Sequence, residues 1–425
     1  MTKWIDYLED VQRYSAAWEE PQWLTDLRVD ALSKIDELPL PTIEKVRFAR
    51  WNLYNVKPEA EVTTGNVPDF SNMSDNPMVV QQGEQTVFEQ ISPELVEQGV
   101  IFTDFVTAVK EHGDLVREYF MTKAVPYTEN SLTALHAAFM NNGVFLYVPK
   151  NVVIEKPLES LFLHDGNADA HFFKHVLIVA EDNSQFSYLE RFESHGNEAK
   201  KLTGNVVVEV ITKPGAQVKF SAVDSLGENI TTYMNRRGYL LRDSMIDWAI
   251  GVMNDGNVIA DFDSDLVGDG AHSEVKIVAI STGKQVQGID TRVTNKAPHT
   301  IGHILQHGVI LEKSTLTFNG IGHILKGAKG ADAQQESRVL MLSTKSRGDA
   351  NPILLIDENE VTAGHAASVG RVDPDELFYL MSRGLKKDEA QRLVIRGFLG
   401  PVLTAIPVKA TQDQLIATIE GKLTK

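Results

Sequence analysis

From about residue 143 to residue 364 the chain alternates short apolar runs with turn clusters, and this rhythm is the main signal in the sequence. Val206 to Ile211 is followed by Lys213-Pro214-Gly215-Ala216 and then by Gln217 to Val223. Met245 to Met253 gives way to Asn254-Asp255-Gly256-Asn257, and Val258 to Leu266 to Gly268-Asp269-Gly270. Runs rich in β-branched and aromatic residues, bounded by Gly, Asn, Asp and Pro, predict strands. Few segments of helical length and period interrupt them, which argues against a sheet built from βαβ units. The flanks read differently. Trp4, Tyr7, Leu8 and Val11 follow the i, i+3, i+4, i+7 spacing of a helix face, and Thr42 to Trp51 and Val100 to Met121 carry a similar period. Between these, Lys57 to Gln90 is rich in Asn, Asp, Pro and Ser and reads as an irregular excursion. The expected organisation is a helical region at 1–125, a β core at 126–367 and a helical region at 368–425.

An internal repeat refines the β assignment. Ile301-Gly302-His303-Ile304-Leu305 recurs as Ile321-Gly322-His323-Ile324-Leu325, twenty residues on. A recurrence of this length suggests stacked coils, each completing the inner face of its neighbour. A right-handed parallel β-helix fits, with a β-sandwich as the alternative. The open ends of such a stack need protection from edge pairing, and the helical segments at both termini are expected to cap them.

The C-terminal region predicts its helices locally. Asp373-Pro374-Asp375-Glu376 combines an N-cap, a proline at N1 and an acid at N3. Leu377, Leu380 and Met381 form an apolar stripe, and Gly384 is placed to take the left-handed residue after the helix. A second helix carries Ala390, Leu393, Val394 and Phe398 and is expected to stop at Gly400-Pro401; Leu415, Ile416 and Ile419 suggest a third. Two helices joined at a glycine could read DNA, but the second has only Arg392 and Arg396 as basic residues within it. A docking surface for a protein fits better.

Charge and composition narrow the classes. The formal charge of −17 repels phosphate backbones and anionic membranes, which weighs against nucleic-acid and membrane binding. The start is acidic and amphipathic, without the basic and apolar regions of a secretory signal, and no apolar run is long enough to span a bilayer. The expected location is the cytoplasm. With no cysteine in 425 residues, disulfides and thiolate metal sites are excluded. No G-x-x-x-x-G-K-[ST] loop is present, so ATP hydrolysis would have to come from a partner.

The candidate chemistry is concentrated in Thr362-Ala363-Gly364-His365-Ala366-Ala367-Ser368-Val369-Gly370, where one histidine lies among small residues that leave its imidazole uncovered. His365 is therefore a candidate ligand; the alternative is an interface histidine satisfied by a hydrogen bond. His299, His303 and His307, like His171 and His175, are four residues apart. On a helix that spacing would suit zinc. On a strand it separates the side chains by ~13 Å, at about 3.3 Å per residue, so solvent-facing or rung-stacking roles are expected. Asp261, Asp263 and Asp265 alternate onto one strand face and could serve calcium binding or acid–base chemistry in a carbohydrate-active β-helix enzyme.

Several long motifs together resemble one family. Asn142-Gly143-Val144-Phe145-Leu146-Tyr147-Val148-Pro149-Lys150 through Leu158 is similar to the strand that opens the core of the SufB/SufD family, as is His175 to Ser184. Thr362 to Gly370, with Leu377-Phe378-Tyr379-Leu380-Met381-Ser382-Arg383-Gly384, resembles its closing signature. The resemblance runs from about residue 130 to 400. The Gly364-to-Gly370 segment and the lack of cysteine are more similar to the SufD branch than to the SufB branch.

That resemblance implies a non-enzymatic scaffold subunit for iron-sulfur cluster assembly, with helical N- and C-terminal parts around a right-handed parallel β-helix. It implies pairing with a SufB-like chain through the β-helix, and docking of a SufC-like ATPase on the C-terminal helices. The docking residues would be Leu377, Phe378, Leu380, Met381, Arg383 and Gly384. A homodimer of the isolated chain is compatible with it, and a scaffold acting alone is disfavoured by the missing cysteine. The family places a histidine at the SufB–SufD junction near a partner cysteine, and by motif that residue is His365. Many relatives carry a cysteine where this chain has Ala363. The implied cargo is a transient iron-sulfur cluster shared with the SufB-like partner, with no permanently bound cofactor.

Overall fold

The computed structural model describes residues 4–56, 75–196, 201–404 and 409–424. A 3-10 turn at Trp4–Tyr7 leads into α1 (Leu8–Ala17) and α2 (Gln22–Lys34). After β1 (Met78–Gln82), β2 (Gln85–Gln90), α3 (Pro93–Glu97) and β3 (Ile101–Asp104) come three more helices. These are α4 (Phe105–Glu111), α5 (Gly113–Tyr119) and α6 (Ser131–Phe139). Asn130 caps α6, its side chain accepting N–H bonds from Leu132 and Thr133 while Thr133 reaches back to the Asn130 N–H. At the other end of α6, the buried Arg28 guanidinium of α2 donates to the carbonyls of Ala138 and Met140 at 3.2 and 3.1 Å.

The N-terminal third contains more β structure than the sequence reading expected. Of the stretch Lys57 to Gln90, whose composition predicts an irregular excursion, residues 57–74 lie outside the described residues, but 78–90 form a hairpin of β1 and β2. Val100 to Met121 splits into a strand and two short helices. Thr42 to Trp51 is not helical but an extended strap with turns. Its apolar residues still point inward, Ile43 and Val46 lying over Gly288, because burial on a sheet satisfies them as well as a helix face would.

The core is a parallel β-solenoid of about eight turns, each made of two strands. The first turns are β4 (Gly143–Val148) with β5 (Leu158–Asp165), β6 (Phe172–Ala180) with β7 (Gln185–His195), and β8 (Leu202–Thr212) with β9 (Gln217–Ser225). The middle turns pair β10 (Ile230–Leu240) with β11 (Met245–Val252), and β12 (Val258–Leu266) with β13 (His272–Ser281). The last are β14 (Val286–Asn295) with β15 (Ile301–Ile310), β16 (Thr315–Ile324) with β17 (Asp332–Met341), and β18 (Arg347–Ile356) with β19 (Thr362–Arg371). Even strands stack into a nine-stranded sheet completed by β3, and odd strands into a ten-stranded sheet completed by β1 and β2.

The pentapeptide repeat does not mark the rung. Ile301 lies on β15 and pairs with His272 and Asp332, 29 and 31 residues away. Ile321 lies on β16 in the opposite sheet, paired with Arg292 and Ile353. A twenty-residue step therefore moves from one wall to the other, and the true period is about one and a half times as long. The architecture inferred from the repeat is correct, although the period used to infer it is not.

Turn chemistry sets the corners. Asn183, Gly215, Asp243, Gly270 and His299 occupy successive equivalent corners in the left-handed region. Each donates its N–H to a carbonyl of the next corner, as Asn183 does to Pro214 and Asp243 to Asp269. Glycine alternates with side-chain-bearing residues here for a steric reason: a Cβ on Gly270 would come within 2.5 Å of Asp243 Oδ1 in the corner beneath. His299 is a corner residue of this ladder.

Both walls are covered over much of their length, which is why many strands read as continuous apolar runs. Inward residues such as Val206, Val208, Ile246 and Trp248 fill the lumen. The outer face of the nine-stranded sheet packs Phe173, Leu177 and Val207 against the N-terminal helices. The outer face of the ten-stranded sheet packs Ala249, Val278 and Val309 under α8 (Lys387–Thr404) and α9 (Lys409–Thr424), which follow α7 (Pro374–Ser382). α8 continues through Pro401 to Thr404, beyond the stop expected at Gly400-Pro401, because Val402 and Leu403 are buried on the sheet.

The ends of the stack are closed differently from the expectation of two helical caps. At the N-terminal end the job falls to strands: the β1–β2 hairpin covers β5, and β3 lies antiparallel on β4. The C-terminal helices lie along the flank, leaving β18 and β19 as the outermost strands of their sheets. Among the described residues no helix is long and apolar enough to cross a membrane.

Candidate functional site

The bare C-terminal end of the solenoid is where the sequence candidates gather. Among the described residues β19 pairs only with β17, and β18 only with β16. Leu355 and Ile356 on β18, and Val369 on β19, are 44%, 44% and 39% exposed, unusual for apolar strand residues. An edge of unpaired N–H and C=O groups beside exposed aliphatic side chains is a template for another chain.

His365 lies on this edge, in register with Gln335, and is exposed. Side chains alternate along a strand. Gly364 falls in the outer row with Gln334, whereas Ala363 packs with buried Ala333 and Val369 faces Gly348 beside Val339. His365 shares the side of Ala363 and Val369 and so faces the mouth of the lumen. Its small neighbours, Gly364, Ala366 and Ala367, leave room around the ring, as the sequence suggested. No hydrogen bond or ion pair engages its imidazole among the described residues, and it belongs to no cluster of three or more converging His, Asp or Glu ligands. Among the described residues His365 is a lone imidazole here.

The second candidate surface follows directly. Asp373 caps α7 by accepting the Asp375 N–H, Pro374 occupies N1, and Gly384 takes φ +97°, as the local sequence predicted. None of the α7 residues is buried. Phe378 is 72% exposed, Tyr379 57% and Met381 43%, with Arg383 over the Tyr379 ring. Leu377 and Leu380 are half-buried. On α8 the buried stripe is Ala390, Ile395 and Leu399, while Leu393 is 48% exposed on the side away from the sheet.

The histidines separate into several roles. His307 Nδ1 lies 2.9 Å from the Phe398 carbonyl and its ring stacks on Phe398, so it anchors α8 instead of facing solvent. His175 is fully buried, with Nδ1 3.1 Å from His136 Nε2. His171 lies 3.1 Å from the Phe139 carbonyl. His303 belongs to a grouping that sequence spacing could not reveal: it meets Glu274 and His272 across the rungs. The only signal available was the pattern His272-x-Glu274, 29 residues before the equivalent strand position of His303.

The aspartate array is ion-paired within the chain. Arg237 bridges Asp261 and Asp263 at 3.6 and 3.2 Å, and Lys296 pairs with Asp265 at 2.9 Å. Burial raises the Asp261 and Asp263 carboxyls, against the pull of Arg237. Arg237 and Lys296 come from neighbouring rungs, so the stretch around Asp261 to Asp265 does not reveal these partners.

Comparison with known proteins decides the affiliation. Residues 162–398 match the family described as SUF system FeS cluster assembly, SufBD core domain, and residues 3–159 match the SufBD protein N-terminal region. The chain belongs to the SufBD family. It is 46% identical to the iron-sulfur cluster assembly protein SufD of Bacillus subtilis, over 98% of this chain and 97% of that protein. It is 28% identical to an iron-sulfur cluster assembly SufBD family protein of Staphylococcus epidermidis, over 94% of this chain and 89% of the relative. Within this family, the core match covers the solenoid from β5 onward together with α7 and most of α8.

Proposed function

We propose that this SufBD-family chain is a non-catalytic scaffold subunit for iron-sulfur cluster assembly, the histidine-bearing half of a site completed by a SufB-like partner. The observation that carries the reading is the bare β18–β19 end, with an unengaged His365 on its lumen side, in a chain that has no cysteine. Clusters are usually held by thiolates, with imidazole a substitute that weakens the donor set. A cluster shared between one chain's sulfur and another's nitrogen is cargo that can be released when the chains separate.

The partner would pair along the open edge, extending the ten-stranded and nine-stranded sheets. The exposed apolar face of α7, with Phe378 and Met381 at its centre, would dock a SufC-like ATPase. Leu377, Leu380, Arg383 and Gly384 would hold that face in shape. α7 follows β19 by only Val372 and Asp373. Closure of an ATPase pair on α7 would therefore pull on the strand that carries His365. An isolated chain could satisfy the same edge as a homodimer. The expected setting is the cytoplasm.

The test is co-expression with SufB-like and SufC-like partners, purification of the complex, and anaerobic loading with iron and sulfide. A stable complex whose loading falls several-fold in His365→Ala is the expected outcome. Full loading of an intact complex carrying His365→Ala would remove the histidine from the site. Failure to form a complex would remove the scaffold pairing.

A further inference from the structure

The outer face of the ten-stranded sheet carries a grouping outside the open end just described. His272 and Glu274 are two residues apart on β13 and so share one face; Glu274 is in register with His303 on β15. His272 Nε2 lies 2.7 Å and His303 Nδ1 3.0 Å from the same oxygen, Glu274 Oε1. The three ligand atoms lie within 4.8 Å of one another, and the side chains are 29%, 24% and 32% exposed, reachable from solvent but held by the wall.

We propose that His272, Glu274 and His303 form a binding site for a divalent first-row transition metal, separate from the cluster cargo at His365. The donor set argues for this class. Two imidazoles and one carboxylate suit Zn2+ or Fe2+ and leave coordination positions open for water. With metal–ligand bonds of about 2.1 Å at tetrahedral angles, donor atoms stand about 3.4 Å apart. The two nitrogen–oxygen separations, 2.7 and 3.0 Å, would have to widen by about 0.7 and 0.4 Å to reach it, within the reach of side-chain rotation. The surroundings supply what such a site needs next. The second nitrogen of His303 lies 3.4 Å from Asp332 Oδ2, and Asp332 accepts a 2.8 Å bond from Gln334. A carboxylate behind a ligating histidine fixes its tautomer and strengthens its lone pair. The parallel stack builds all of this on rigid strands, with Glu274 and His303 in register and Asp332 one rung further on. This proposal stands independently of the scaffold reading, since it uses no residue of the open end.

Full-length, metal-stripped protein would be titrated with Zn2+ in a calorimeter, with Fe2+ under anaerobic conditions, and with Co2+ as an optical probe. The expected result is one equivalent of metal with a dissociation constant of about 10 µM or tighter, and Co2+ bands of low coordination number. His303→Gln and Glu274→Gln should each weaken binding at least tenfold, and Asp332→Asn by roughly tenfold, with unchanged thermal melts. His365→Ala should leave the affinity unaltered. Tight Zn2+ with weak Fe2+ would mark a structural ion, and comparable affinities an iron-accepting one; either sustains the site. No binding of any of the three ions below about 1 mM, or one equivalent that survives both ligand variants, would overturn it.

Discussion

Glu209 Oε2 stands 3.2 Å from Nε2 of His175, both side chains fully buried, at an angle that makes no hydrogen bond. The chain behind it fixes the protons. Asn205 donates its amide to Leu132, so its oxygen receives Nδ1–H of His136, and His136 Nε2 in turn receives Nδ1–H of His175. The remaining nitrogen of His175 carries a lone pair toward Glu209. Burial raises the Glu209 carboxyl to about 8, although the N–H groups of Val125 and Met121 favour its ionised form. Burial alone holds His175 down near 3. A neutral carboxyl facing a neutral imidazole is the consistent state at pH 7.

The sign of the pH effect follows. Between the ordinary carboxyl value of 4.5 and about 8, the native chain holds a proton on Glu209 that the unfolded chain has lost. The stability this contributes is fully present below 4.5 and is lost as pH rises toward 8. Relative to Glu209→Gln, the wild type should lose roughly 1.4 kcal/mol per pH unit across that window. Urea unfolding of both proteins at several pH values measures it, and a flat difference would mean that Glu209 is ionised throughout.

Arg236 lies inside the lumen, donating to Glu190 at 2.8 Å and to both oxygens of Asp224 at 3.0 and 2.7 Å. Arg236→Met should cost about 3–5 kcal/mol at neutral pH, because two buried carboxylates lose their counter-charge. The loss should shrink as pH falls and Glu190, raised by burial to about 7 even beside Arg236, takes up a proton. Adding Glu190→Gln and Asp224→Asn should recover most of it in a denaturation series. An unrecovered loss would assign the role of Arg236 to packing against Phe192 and Phe262.

Gly143 opens the first solenoid strand opposite His175. A Cβ there would collide with the His175 carbonyl oxygen, a backbone atom that cannot yield. Gly143→Ala should therefore destabilise by about 3 kcal/mol or more or prevent folding. Soluble yield and urea midpoint report it; a wild-type midpoint would contradict the packing at this rung.

Phe378 is exposed on α7 and touches no core. Phe378→Ser should change stability by no more than about 0.5 kcal/mol while abolishing capture of a SufC-like ATPase in a pull-down. Retained capture at wild-type affinity would move the dock off α7.

Much of the solenoid was visible in sequence because strands and corners are local events. The run Gln217 to Val223 and the turn Gly268-Asp269-Gly270 needed only alternation and backbone preference. The same was true of the α7 cap at Asp373. The hairpin at Met78–Gln90 is not legible locally because β1 is stabilised by pairing with β5, about eighty residues later. Pro401 failed to stop α8 because the sheet beneath buries Val402 and Leu403. The exposure of His365 was legible from its small neighbours. Spacing along the strand separates His303 from His299 and His307, but it is silent about Glu274 on the neighbouring rung.

The amino-acid sequence alone determined the missing thiolates, most strands and corners of the β core, and the capped α7 with its apolar stripe, since these follow from composition or from neighbours within a few residues. Only the tertiary structure decided the rung period, which end of the stack is left open, and which side chains meet across rungs. Those are set by register between segments about thirty residues apart. A strand's own sequence says which residues share a face, but only the stacked partner says what stands 5 Å beside them.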